Sequence, residues 1–94
     1  MKITGRNIVE EFARKHPQAR PRLDNWITHV QNAVWKEPVD VIKTFNSASN
    51  LPAREVWVFN IGADRIVASL EFILGTIRIQ RIMKHDEYMK WSNK

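Results

Sequence analysis

The chain contains no cysteine, so neither a disulfide framework nor a thiolate metal site is available to it. Its three histidines, His16, His29 and His85, lack the spacing of zinc ligands, and nothing in the sequence calls for a metal or a small-molecule cofactor. Glycine-rich phosphate loops and serine-elbow motifs are missing as well. No apolar run approaches the roughly 20 residues needed to cross a bilayer, and the start "MKITGRNIVEEF" has no apolar stretch of signal-peptide length. The expectation is therefore a cytoplasmic protein with no membrane contact. Acidic residues are scarce: ten Asp and Glu face fifteen Lys and Arg, a formal charge of +5. That excess biases encounters towards polyanions such as nucleic acid.

What is present suits one folded domain spanning 1–94. An apolar fraction of 44% is too rich for a disordered chain, and 94 residues supply a single modest core. After a short start at "MKIT", Ile8, Val9, Phe12 and Ala13 recur at helical spacing, with Thr4 as the N-cap and Pro17 as the stop. A second helix carries the stripe Leu23, Trp26, Ile27, Val30, Ala33 and Val34, with Pro21 in its first turn. "EPVDVIKTF" predicts one more short turn, on Val39, Ile42 and Phe45, and "NSASNLPAR" reads as loop.

From Glu55 the period changes. "EVWVFNI", "RIVASLEFIL" and "TIRIQRIM" are rich in β-branched and aromatic residues and are separated by "GAD" and "LGT", which predicts three antiparallel strands. In the last strand Ile77, Ile79 and Met83 share one parity with Arg81. A regular strand would bury that arginine. Either a bulge near Gln80 resets the alternation or the arginine snorkels past the sheet edge. The tail from His85 to Trp91 predicts a last helical turn or two. The resulting fold class is α+β, with helices on one face of a twisted meander.

The available chemistry comes from His, Glu, Tyr, Arg and Lys, and these types suit metal-free RNA cleavage. RNA supplies its own nucleophile, the 2′-hydroxyl; the protein must remove its proton, stabilise charge on the phosphorane and protonate the leaving 5′-oxygen. His85, Glu87 or Tyr88 can handle protons, and Arg65, Arg78, Arg81 and Lys84 can hold phosphate. Each has a plainer reading. His85 suits a cap or a turn, Glu87 a helix first turn, Tyr88 a half-buried anchor, and Arg65 a solvated strand face. The four tryptophans suit core or rim, although Trp91, beside the candidate site, can stack on a base. The run "RKHPQARPR" brings Arg14, Lys15, Arg20 and Arg22 as a solvated helix end or as a docking surface for a large RNA.

With "VWKEPVDVIKTFNSAS", "VFNIGADRIVASLEF" and the terminal "IQRIMKHDEYMKW", the chain resembles the HigB family of bacterial type II toxins, within the RelE-like superfamily of ribosome-dependent mRNA interferases. The resemblance runs nearly end to end, and its most specific parts are "VFNIGADRIV" and "HDEY". It implies a RelE-like fold: a short N-terminal strand and two helices packed on a three- to four-stranded antiparallel sheet, followed by a short C-terminal helix. It makes Asn60 the asparagine of the "VFNI" strand and Arg65 the arginine after its turn, and it places His85, Glu87 and Tyr88 in the terminal signature.

Implied too are a metal-independent endoribonuclease that cuts mRNA on the ribosome, and a HigA-type helix-turn-helix antitoxin as partner. In that expectation His85 or Glu87 takes the 2′-hydroxyl proton, Arg65 with Arg81 or Lys84 stabilises the phosphorane, and Tyr88 orients the substrate. Three departures stand out. Lys84 replaces the family's usual Thr, Met89 its Asp, and Gln80 its strand arginine, next to Arg81. The competing expectations are a catalytically weak RNA- or ribosome-binding module and an interaction protein that only pairs with an antitoxin.

Overall fold

A computed structural model describes residues 1–93. Among them are five strands and four helices. In chain order these are β1 (Lys2–Thr4), α1 (Arg6–Lys15), α2 (Arg20–Asn32), α3 (Pro38–Thr44), β2 (Ser49–Leu51), β3 (Val56–Ile61), β4 (Asp64–Glu71), β5 (Thr76–Lys84) and α4 (His85–Ser92). The sheet order is β1-β5-β4-β3-β2; β1 runs parallel to β5 and every other neighbour pair is antiparallel. The α+β class and the RelE-like arrangement hold, with a sheet that is mixed and five-stranded.

Strand alternation sorts the side chains onto two faces. On the inner face Trp57, Phe59, Ile61, Ile66, Ala68, Ile77 and Ile79 meet Val9 and Ala13 of α1, Leu23, Trp26 and Val30 of α2, and Val41 of α3 in one buried cluster. On the outer face Val56, Val58, Val67 and Met83 are covered by Leu51, Tyr88 and Trp91. Helices therefore lie on both faces, because α4 folds back across the outer one. This explains why "VWVF" is buried at four successive positions: a strand covered on both faces loses its polar alternation.

Several local expectations shift. Gly5, not Thr4, precedes α1; it is left-handed at φ 83 and a Cβ there would sit 2.5 Å from the Ile79 carbonyl oxygen. Only glycine combines that conformation with that approach. α2 ends at Asn32, Ala33 turns extended, and Val34 leaves the stripe to lie 77% exposed. α3 buries Val41 and leaves Val39 and Ile42 exposed, so its inward face runs from Val41 to Phe45 at i, i+4. "NSASNLPAR" is not all loop: Ser49–Leu51 pairs with Val56–Val58, and Pro52–Arg54 forms a 3₁₀ turn.

The helix layer is clasped by carboxylates at its surface. Arg20 makes two bonds to Glu10, at 2.8 and 3.0 Å, and these hold the Glu10 carboxyl below its ordinary value. Asp40 accepts the backbone N–H groups of Lys36 (2.9 Å) and Glu37 (3.3 Å) at the start of α3. Those bonds lower its pKa, with the Lys36 amide the largest cause. A carboxylate whose folded pKa is depressed stabilises the fold above its unfolded pKa, and that stability is lost as pH falls through the folded value. Urea unfolding at neutral pH and at about pH 3 should therefore show an acid-induced loss that shrinks in Glu10→Gln and Asp40→Asn.

Candidate active site

The site is built on the β3–β4 hairpin and the β5–α4 junction. Ile61 pairs with Asp64, so Gly62 and Ala63 form a two-residue turn. Gly62 at φ 60 supplies the positive first position that a type II′ hairpin requires. The turn is pinned from the helix side by Arg22, whose Nη2 donates to Asp64 Oδ2 at 3.0 Å. From the other side His85 N–H donates to the Ala63 carbonyl at 3.0 Å, so the start of α4 is tied to the same turn.

Arg65 follows on the outer face. Its Nη1 donates to the carbonyls of Gly62 (3.1 Å) and Asp64 (2.9 Å), and its Nη2 lies 3.3 Å from His85 Nδ1. A guanidinium only donates, so Nδ1 is the acceptor and the ring proton of a neutral His85 is assigned to Nε2. The Arg65 guanidinium also stands 5.8 Å from the centre of the Tyr88 ring. Asn60 is directly opposite Arg65 in the ladder and donates to the Ser47 carbonyl at 3.4 Å.

Arg81 reaches this face through a bulge. Val67 pairs with Arg81 but Ala68 pairs with Ile79, which leaves Gln80 without a cross-strand partner. The extra residue flips the alternation, so Arg81 joins Arg65 and Met83 on the outer face while Ile82 turns inward to the main cluster. The Arg81 guanidinium lies 5.9 Å from the Trp91 ring, and Trp91 is 6.0 Å from Tyr88. Arg65, His85, Tyr88, Trp91 and Arg81 thus form one connected group.

The remaining candidates separate from it. Lys84 is opposite Asp64 and shares its inner-side parity, away from Arg65. Arg78 is opposite Ser69, on the outer face but towards the other end of β5. Glu87 is exposed in the first turn of α4. Much of the basic run is spent on ion pairs: Lys15 with Glu11, Arg20 with Glu10 and Asp24, Arg22 with Asp64. Arg14 has no ion pair among the described residues, and Lys15 also lines a groove of about 220 Å³ between α1 and β5, together with Arg81.

One residue was missed. Arg54, inside the segment read as loop, lies 4.2 Å from the Trp91 ring centre and donates to the Trp91 carbonyl at 2.9 Å. Only the folding back of α4 brings these two together, so no local signal marks it.

The family model described as HigB_toxin, the RelE-like toxic component of a toxin-antitoxin system, matches residues 19–91. The chain belongs to the HigB toxin family. The match takes in every residue of the Arg65–Trp91 group, and the toxin role carries with it an antitoxin as partner. No curated protein matches the chain. Among the described residues of the toxin no helix is long and apolar enough to cross a membrane, and no His, Asp and Glu cluster has the makings of a metal site.

The Arg22–Asp64 pair bears on the site because it fixes the turn that holds Arg65. Asp64 is 2% exposed, so Arg22→Ala would strand a buried carboxylate. A loss of about 1–2 kcal/mol in urea unfolding is expected, below the fully buried case because the Arg22 side chain is 41% exposed. An unchanged midpoint would show the pair to be idle.

Proposed function

We propose that the toxin is a metal-independent endoribonuclease that cleaves mRNA on the ribosome. The observation that carries this reading is the contact of Arg65 with His85, 3.3 Å apart, on the same sheet face as Arg81. The 2′-oxygen attacks the adjacent phosphorus, the bond to the 5′-oxygen breaks, and the products are a 2′,3′-cyclic phosphate and a free 5′-hydroxyl.

In this mechanism the incoming phosphate replaces His85 as the acceptor for Arg65. That exchange frees Nδ1 to take the 2′-hydroxyl proton, while the guanidinium stays to bind the phosphorane oxygens. The register supports Arg81, rather than Lys84, as the second cation. Tyr88, half-buried under Arg65, orients the substrate, and the leaving 5′-oxygen takes its proton from water while the proton held by His85 returns to solvent, since exposed Glu87 lies apart from the group. The usual strand arginine is replaced by Gln80, and the extra backbone residue of the bulge, not the Gln80 side chain, turns Arg81 onto the site's face.

A HigA-type helix-turn-helix protein is the antitoxin in this reading, and the ribosome is the second partner, with exposed Arg14 available to its phosphates. The test is induction in cells with 5′-end mapping of a reporter mRNA. New in-message cuts from the wild type that vanish in Arg65→Ala and His85→Ala support the nuclease. Growth arrest with intact messages would point instead to a binding module that inhibits translation without cutting.

A further inference from the structure

A cleft of about 500 Å³ opens beside the Arg54–Trp91 contact, lined among others by Asn50, Arg54, Glu55, Ser69, Glu71 and Gln80. It lies towards the far end of the sheet from His85. Ser69 lies four positions along β4 from Arg65, about 13 Å. Arg54, which contacts Trp91, is one wall of the cleft.

The side chains divide the work of binding by charge. Arg65 and Arg81 offer cations beside His85, whereas the cleft sets two carboxylates, Glu55 and Glu71, around a single guanidinium that already bonds Trp91. Carboxylates repel a phosphate but accept hydrogen bonds from the exocyclic amines of bases. Gln80 presents a donor and an acceptor side by side, the pattern that matches a base edge. Gln80 is exposed and stands at the bulge, with no cross-strand partner, so its side chain projects where the ladder is interrupted. Single-stranded RNA is read by splaying bases onto aromatic or guanidinium planes and bonding their edges, and Arg54 stacked with Trp91 provides such a plane.

We propose that this cleft is a base-reading subsite for a nucleotide flanking the scissile linkage, with Gln80 bonding the base edge and Glu71 accepting from an exocyclic amine. The proposal rests on the nuclease reading and adds to it a source of sequence preference. Gln80 and Glu71 act in choosing the cut, not in making it.

The test maps 5′ ends across a mixed-sequence reporter for the wild type, Gln80→Ala, Glu71→Ala and Gln80→Glu. Both alanine variants are expected to keep cutting while base preference at one flanking position relaxes on the order of 10-fold. Gln80→Glu, which trades an amide for a pure acceptor, is expected to switch the preferred base rather than merely weaken the choice. Unchanged preference in cutting variants overturns the subsite and leaves the nuclease reading standing. Loss of all cutting in Gln80→Ala, with thermal unfolding unaltered, overturns it too, by moving Gln80 into the chemistry. A wild type that produces no new ends overturns both.

Discussion

Arg65→Ala should lower the rate of mRNA cleavage roughly 10²–10³-fold, the usual effect of removing one pre-aligned donor from a developing oxyanion, and should relieve growth arrest. The reason is geometric. Arg65 is the only side chain of the group held by two backbone carbonyls, those of Gly62 and Asp64, so its guanidinium is set in place before substrate arrives. Arg65→Lys keeps the charge but not the planar fork, and is expected to recover only a small part of the rate. His85→Ala should fall by 10²–10⁴-fold, the range of a lost general base. Because Arg65 and His85 touch, the double variant should lose less than the product of the two single losses. Cleavage rates on ribosome-bound message, with thermal unfolding to certify each fold, provide the check. Wild-type rates in Arg65→Ala would remove Arg65 from the reaction.

Phe59→Ala should cost about 3–5 kcal/mol of stability, the range for emptying a large aromatic from a core, out of a total of the order of 5–15 kcal/mol. Phe59 is 1% exposed. It sits between Trp26 (5.3 Å, edge-on), Phe45 (5.5 Å, edge-on) and Trp35 (6.3 Å, stacked). These three come from α2, the end of α3 and the segment between them, so one ring joins the helix layer to the sheet. A fall in melting temperature of roughly 15–30 °C is expected. Ile73→Ala, at a fully exposed position, should change stability by less than about 0.5 kcal/mol. A Phe59→Ala loss below about 1 kcal/mol would mean that the cluster repacks around the gap.

The parts of the fold that could be read from residues alone were those where a periodic pattern met its own contradiction. The clash between Arg81 and the apolar parity of β5 is a local fact, and a single inserted residue at Gln80 resolves it, as the register shows. The hairpin at "GAD" was legible for a similar reason, since Gly62 supplies the conformation that a tight turn needs. β2 was not legible. Ser49 and Asn50 are exposed, so the strand has no apolar alternation and exists because β3 offers it an edge. Val34 and the Val41 face of α3 were misjudged because spacing cannot say where a helix ends or which of two stripes meets a core.

The same limit applied to the site. At "HDEY" the structure brings His85 and Tyr88 beside Arg65, with Arg81 linked to them through Trp91, whereas Lys84, Arg78 and Glu87 lie apart. That α4 would cross to the opposite face, bringing Arg54 onto Trp91, depends on Val56, Val58, Val67 and Met83 needing cover. That requirement appears only once the sheet is assembled.

In the proposed mechanism the eight residues of α4, His85–Ser92, combine two duties that proteins usually keep apart. α4 carries His85 and Tyr88, and with Trp91 it also shields a patch of aliphatic side chains from water. A premature stop after Lys84 would therefore disarm the toxin and leave it sticky in the same stroke. Cells escaping its action by late truncation would inherit an aggregation-prone remnant, so harmless survivors should more often carry single replacements at the arginines than shortened tails.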